Sequence, residues 1–290
     1  MRKLNIAIIG LGNIGCYLFK YLNDNKKILI KKNNCLPVIK YVSAKNKKKK
    51  RNIKIKKGQW LKNYLSATKL KDVDLIIELI GGAEGPAKKL VFEALKNKKH
   101  VVTANKALIA KYGDQLSTIA EKNKVNLEFE ASVCGGVPII RSLKEGLIAN
   151  KIFKIYGIFN GTSNYILSSM EKQNKSFEEV LSNAKKLGYA EANPTADLNG
   201  DDVSSKLKIL SSLCFNSFLN NNIYVEGIKN IDKTDIDNAN KLGFKIKLLG
   251  YAELLNNKIY QRVHPTLIKK DSYVASIDGV LNAVIIDGKP

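Results

Sequence analysis

The sequence is poor in the features that build metal centres or membrane anchors. Its four cysteines, Cys16, Cys35, Cys134 and Cys214, are widely spaced, with no CxxC pair and no histidine cluster beside them. Metal-site spacing is therefore absent, and the pattern reads as four free thiols in a reducing compartment. No stretch approaches the ~20 uninterrupted apolar residues that a membrane helix needs. The opening segment, residues 1–10, has too short an apolar run for a signal peptide and flows directly into a glycine turn. It reads as a first β-strand, and the protein as cytoplasmic. No internal repeat and no disordered linker is evident.

Acidic residues are also scarce, at 26 Asp and Glu against 49 Lys and Arg, for a net charge of +23. A basic chain can bind nucleic acid or anionic surfaces. These lysines, however, are spread along the whole chain among many Asn and Ile, as a bias toward A/T-rich codons would leave them. One run stands out, Lys45-Asn46-Lys47-Lys48-Lys49-Lys50-Arg51. No aromatic residue interleaves with it, so a base-stacking platform is not indicated. It reads as a solvated loop or a cofactor rim, with no nucleic-acid partner expected.

What is present is an alternation of strands and helices over 290 residues, 44% of them hydrophobic, enough for two domains. Residues 4–9 read as a buried strand and 15–24 as a helix with Ile14, Leu18, Tyr21 and Leu22 on one side. Strands follow at 37–43, 73–80, 100–103 and 126–130, with helices at 86–97 and 107–122 between them. That order predicts an α/β fold: a doubly wound parallel sheet of Rossmann type. After residue 131 the pattern turns to mixed α+β. Strands are expected at 152–159, 251–254, 259–264 and 282–287, and helices at 163–171, 176–186, 201–214 and 234–249.

Between the first strand and the first helix lies Gly10-Leu11-Gly12-Asn13-Ile14-Gly15. GxGxxG alone is a weak signal; its place inside the first βαβ unit makes it specific. Gly10 permits the tight turn, Gly12 lets the backbone approach a pyrophosphate, and Gly15 lets the helix pack close. The helix N-terminus, at Asn13 and Ile14, offers N–H groups to the phosphates. An acid at the end of the second strand would bind the ribose 2′-hydroxyl of NAD. Here Ser43-Ala44-Lys45 stands instead. A hydroxyl and a cation suit a 2′-phosphate, which favours NADP while allowing use of NAD. Thr103-Ala104-Asn105-Lys106 ends the fourth strand, at the carboxyl edge where ligands of open α/β sheets bind.

Two segments after the sheet carry further chemistry. Glu130 to Pro138 is rich in small residues whose carbonyls, with Glu130, suit a hard monovalent cation; from composition alone it is only a hinge. Leu187 to Lys206 runs from a helix end through a Pro- and Gly-containing loop into a new helix. Glu191 and Asp197 project from the loop, and Asp202 and Lys206, four apart, share a helix face. That pair is either an ordinary surface ion pair, worth about 0–1 kcal/mol, or part of a site for an ammonium group with a proton-transfer lysine.

Together these motifs resemble homoserine dehydrogenase, from Gly10 to about Asn282. The most specific pieces are Glu78 to Gly82, Val102 to Leu108, Gly157 to Leu167 and Leu187 to Lys206. The resemblance implies a dinucleotide-binding domain over 1–130 and a catalytic and dimerisation domain over 131–290. It implies reversible hydride transfer between L-homoserine and L-aspartate 4-semialdehyde, on the route to threonine, methionine and isoleucine. Carried over, Lys206 is the acid/base lysine and Lys106 its partner near the nicotinamide. Glu191 and Asp202 are substrate ligands, with Asp197, Tyr189, Gly161 and Thr162 close by. Glu130, Val133, Gly135 and Val137 match the positions that hold sodium, and a homodimer is expected.

The sequence departs from the family pattern in three places. Asn193 stands where the family usually has Asp, and Cys134 where it commonly has Gly. The family also continues past Asn282 into a Gly-rich segment and a returning helix, whereas this sequence stops at Pro290. The last departure raises the reading of a truncated, inactive remnant without the regulatory C-terminal domain. An acylating semialdehyde dehydrogenase, with Cys134 as nucleophile and His264 as base, is a further alternative.

Overall fold

Residues Arg2–Ile9 form the first strand, β1, buried on both faces from Ile6 onward. In the computed structural model, which describes residues 1–216 and 223–290, the chain divides into two units, Met1–Ser132 and Val133–Pro290. In the first unit β1 is flanked by parallel strands β2 (Cys35–Ser43) and β3 (Leu75–Glu78). Beyond β3 lie β4 (His100–Thr103) and β5 (Leu127–Glu128), giving the order β2-β1-β3-β4-β5. The chain leaves β1 first to one side and then to the other. The carboxyl ends of β1 and β3 thus flank a topological switch point, where such sheets bind ligands. Helices α1 (Asn13–Asp24), α2 (Lys26–Asn33), α3 (Pro86–Lys96) and α4 (Lys106–Lys122) connect the strands.

Three details differ from the sequence reading. On α1 the buried residues are Gly15 and Phe19, whereas Ile14 is 64% and Tyr21 43% exposed. The stripe that meets the sheet runs 15-19-22, and a glycine adds nothing to an apolar count. Helix α2 was not expected; it ends at Asn34, in the left-handed region at φ 47°. Strand β5 pairs only Leu127 with Val101 and Glu128 with Val102, and a 3₁₀ turn at Glu130–Ser132 follows.

The second unit begins with a turn of helix, α5 (Ile139–Arg141), and continues with β6 (Lys151–Ile158), α6 (Gly161–Gln173) and α7 (Phe177–Lys186). Next come α8 (Thr195–Leu198), α9 (Asp201–Phe215), β7 (Tyr224–Val225) and α10 (Lys233–Lys241). Strands β8 (Phe244–Leu255), β9 (Lys258–Lys269) and β10 (Ala283–Lys289) complete it. Among the described residues these strands make one sheet of order β10-β6-β8-β9-β7. Gly250 on β8 is pressed against Phe159 and Val203, the latter on α9.

The expected helix over 234–249 is therefore corrected. It stops at Lys241, and Gly243, at φ 83°, turns the chain into β8. A short apolar run such as 244–249 does not distinguish helix from strand; here β9 supplies the strand partner along its whole length. Asn256 and Asn257, at φ 49° and 61°, make the two-residue hairpin that sets the register. Among the described residues no helix is long and apolar enough to cross a membrane.

The face of α1 is open to direct measurement. Phe19→Ala should cost about 3 kcal/mol in denaturant unfolding and Ile14→Ala less than about 0.5. Equal losses would mean that the buried stripe has been misassigned.

Candidate active site

In the first unit the glycine turn is defined by close contacts. Gly10 is at φ 110°, and a Cβ there would lie 2.3 Å from the Leu79 carbonyl oxygen. A Cβ on Gly15 would lie 2.0 Å from the Gly10 oxygen, so the start of α1 rests on the turn itself. At Gly12 a Cβ would meet nothing within 4 Å. Gly10 and Gly15 are thus required by the protein's own backbone, and Gly12 faces open space. Gly12 is also the N-cap of α1 and supplies no side-chain acceptor to its first turn. The residues present fit a dinucleotide pyrophosphate: open space, helical N–H groups and the positive end of the helix dipole.

A cleft of about 1000 Å³ opens there, lined by Gly10, Gly12, Ser43, Lys45, Lys49 and Lys62 among others. The basic run is a folded part of its rim. Arg51 donates from Nε to the Leu11 carbonyl at 3.1 Å and from its two terminal nitrogens to the carbonyls of Lys49 and Asn46, both at 2.8 Å. Lys47 donates to the Leu61 carbonyl at 2.6 Å, and both cations stand 5.9 Å from the centre of the Trp60 ring. Among the described residues no acidic side chain lines the cleft. Thr103 is fully buried, with its hydroxyl donated to Glu78, so its side chain is directed into the protein. Lys106 is the first residue of α4.

In the second unit the loop-to-helix junction converges as its spacing implied. Lys206 Nζ lies 2.8 Å from Asp202 Oδ2 and donates to the Phe159 carbonyl at 2.6 Å. The two side chains are only 15% and 8% exposed, so this is not the surface pair considered above. Gly200, at φ 87°, makes the reversal from α8 to α9, and a Cβ there would crowd Val225 and Val263. Asn160 ties the junction together. Its Nδ2 donates to Asp197 Oδ1 at 2.7 Å and to Asp202 Oδ2 at 2.9 Å, while its Oδ1 accepts from Ser163 N as the cap of α6. Gly161 beside it is pressed against the Val280 carbonyl. Thr162 donates to the Tyr189 carbonyl at 2.7 Å, and the rings of Tyr165 and Tyr189 are 4.9 Å apart. Glu191 sits exposed on the loop. Asn193 caps that loop, accepting from Thr195 Oγ1 at 2.6 Å.

Asn160 was not singled out from the sequence, although a helix-capping Asn directly before Gly161-Thr162 is a legible signal. Trp60 carried no signal at all, because only the fold brings it under Lys47 and Arg51.

Cys134 is a correction. It is 1% exposed, and burial pushes its thiol up to about 11, although the nearby Lys206 charge acts in the opposite sense. A thiol held neutral is no nucleophile at physiological pH. Its φ of 45° is left-handed, which accounts for the Gly that the family commonly places there. His264, the base in that reading, has Nδ1 2.8 Å from the Pro265 carbonyl. Of the cation residues, Glu130 lies in the first unit, and Val133, Gly135 and Val137 lie in the second. Among the described residues no group of three or more His, Cys, Asp or Glu side chains could hold a metal ion.

Comparison with known proteins decides the family. The model of the homoserine dehydrogenase NAD-binding domain matches residues 10–130, and the model of homoserine dehydrogenase matches residues 138–290. The chain belongs to the homoserine dehydrogenase family. It is 43% identical over 288 residues to the homoserine dehydrogenase of Neisseria gonorrhoeae, covering 99% of this chain and 66% of that one. With the Bacillus subtilis homoserine dehydrogenase it shares 39% over 290 residues, covering 100% and 67%. The crystal structure of the Thiobacillus denitrificans homoserine dehydrogenase superposes with a TM-score of 0.91 at 39% identity, covering 99% of this chain and 67% of that one. The chain thus spans about two thirds of the length of these homoserine dehydrogenases.

The neutral thiol has a chemical signature. In the native protein at pH 8, iodoacetamide should label Cys16 and Cys35, which are partly exposed, and leave Cys134 and Cys214 unmodified by peptide mass spectrometry. Cys134→Gly should keep activity. Rapid labelling of Cys134, with loss of activity that substrate prevents, would restore the nucleophile reading.

Proposed function

We propose that this chain catalyses the reversible NAD(P)-dependent interconversion of L-homoserine and L-aspartate 4-semialdehyde. The observation that carries this is the set of buried Asp202 and Asn160 with half-buried Lys206, and Asp197 beside them. The first unit carries the dinucleotide and the second the amino-acid substrate. A dinucleotide held by its pyrophosphate at the glycine turn would supply the hydride acceptor; the protein's task is proton transfer and orientation. Asp202 and Glu191 are the ligands for the substrate ammonium, with Tyr189, Gly161 and Thr162 around them. Once that ammonium shares Asp202 with Lys206, two cations compete for one carboxylate. In its neutral form Nζ takes the hydroxyl proton as the hydride leaves carbon, and it returns that proton in the reverse direction. Lys106 serves near the nicotinamide.

The rim favours NADP. Ser43, Lys45 and Lys62, with no acid among the described residues of the cleft lining, suit a 2′-phosphate, and this reading assigns the basic loop to the dinucleotide. By resemblance alone, a sodium ion on oxygens of Glu130, Val133, Gly135 and Val137, a homodimer and a cytoplasmic setting complete the reading. Hard oxygen donors suit such a cation.

The test is homoserine-dependent reduction of NADP⁺ and NAD⁺ by this chain. Lys206→Ala should lose at least about 100-fold in kcat while NADPH binding, followed by its fluorescence, is unchanged. Normal turnover by this variant would remove Lys206 from its role. Lys45→Ala should raise KM for NADP⁺ about tenfold, the loss of one charge-assisted contact, and leave KM for NAD⁺ alone. Equal changes with both cofactors would overturn the 2′-phosphate assignment.

A further inference from the structure

Glu78, the last residue of β3, is fully buried, and so is Thr103 at the end of β4. Burying a carboxylate is costly unless its oxygens are satisfied. Here the donors come from the loops at the carboxyl edge of the sheet. Oε1 accepts from the main-chain N–H of Ile80 at 2.7 Å and of Gly81 at 3.0 Å. Oε2 accepts from the Thr103 hydroxyl at 2.5 Å. Thr103 Oγ1 in turn accepts from Asn105 N at 2.9 Å. Asn105, 6% exposed, donates from Nδ2 to the Gly82 carbonyl at 2.8 Å and caps α4 by accepting from Leu108 N. The network is a closed ring: Glu78 to the Gly81 backbone, Gly82 to Asn105, Asn105 to Thr103, Thr103 back to Glu78.

The ring joins two loops. One, Leu79–Gly82, abuts Gly10 through the Leu79 carbonyl, lines the cleft with Leu79 and Ile80, and ends in two left-handed glycines at φ 85° and 81°. The other, Thr103–Lys106, starts α4. A dinucleotide on the glycine turn places its adenosine end toward β2, so its far half runs past the ends of β3 and β4. We propose that Glu78, acting through Thr103 and Asn105, is a positioning residue that fixes the floor under the nicotinamide half of the cofactor. This rests on the reading that the glycine turn holds a dinucleotide. An apolar residue at Glu78 would fill the core without fixing either loop. An amide there offers one accepting oxygen and one donating nitrogen, so it can keep the Ile80 and Gly81 contacts but cannot accept from Thr103.

The two halves of the cofactor separate the outcomes. Titrations of folded Glu78→Gln with NADPH and with adenosine 2′,5′-bisphosphate, which lacks the nicotinamide half, should show NADPH weakened about tenfold and the bisphosphate unchanged. Thr103→Val should reproduce the same split, Thr103→Ser should restore NADPH binding, and the double variant should be no worse than either single one. Equal weakening of both ligands, or wild-type NADPH affinity in Thr103→Val, would overturn the proposal. If Glu78→Gln does not fold, the Thr103 pair alone decides. Wild-type protein that binds the bisphosphate but not NADPH also overturns it; wild type that binds neither overturns the dinucleotide reading on which it stands.

Discussion

The carboxylate of Asp202 is shared between two donors on different parts of the second unit. Lys206 reaches it from one turn further along α9, and Asn160 reaches it from the end of β6. Asn160 also caps α6 and holds Asp197, so one buried carboxylate sets the relation of β6, α6, α8 and α9. Breaking such a pair from one side leaves a buried charge without its partner, which costs far more than the intact pair contributes. The arrangement is correspondingly intolerant of change. The same residues that hold the junction present its cation and its anions.

The first unit solves a different problem by the same means. Its strands end together at one edge, where loops from successive strands must stay open to a ligand without collapsing into it. Backbone contact does this at Gly10 and Gly15, and hydrogen bonds do it around Glu78. Arg51 does it for the basic loop. Main-chain groups are partners in each case, joined at Glu78 by the Thr103 hydroxyl.

Much of this was legible in the sequence, because local rules govern it. The glycine turn, the strand at 100–103 and the spacing of Asp202 and Lys206 all follow from neighbours along the chain. The parts that were not legible depend on residues far apart. Phe19 outranks Ile14 on α1 only because the sheet lies on that side. Residues 244–249 are a strand because β9 returns alongside them. Asn160 reaches Asp197 and Asp202 across 37 and 42 residues, and no periodicity reports such a contact. Cys134 looked like a nucleophile at a sheet edge; depth within the unit, which sequence does not display, removes its reactivity.

The fastening of the basic loop has a consequence for how cofactor choice can change over time. Arg51 spends its donors on carbonyl oxygens, which every residue possesses, so the loop's shape does not depend on which side chains stand at Lys45 or Lys49. Charge at the rim can therefore be exchanged one residue at a time on a constant scaffold.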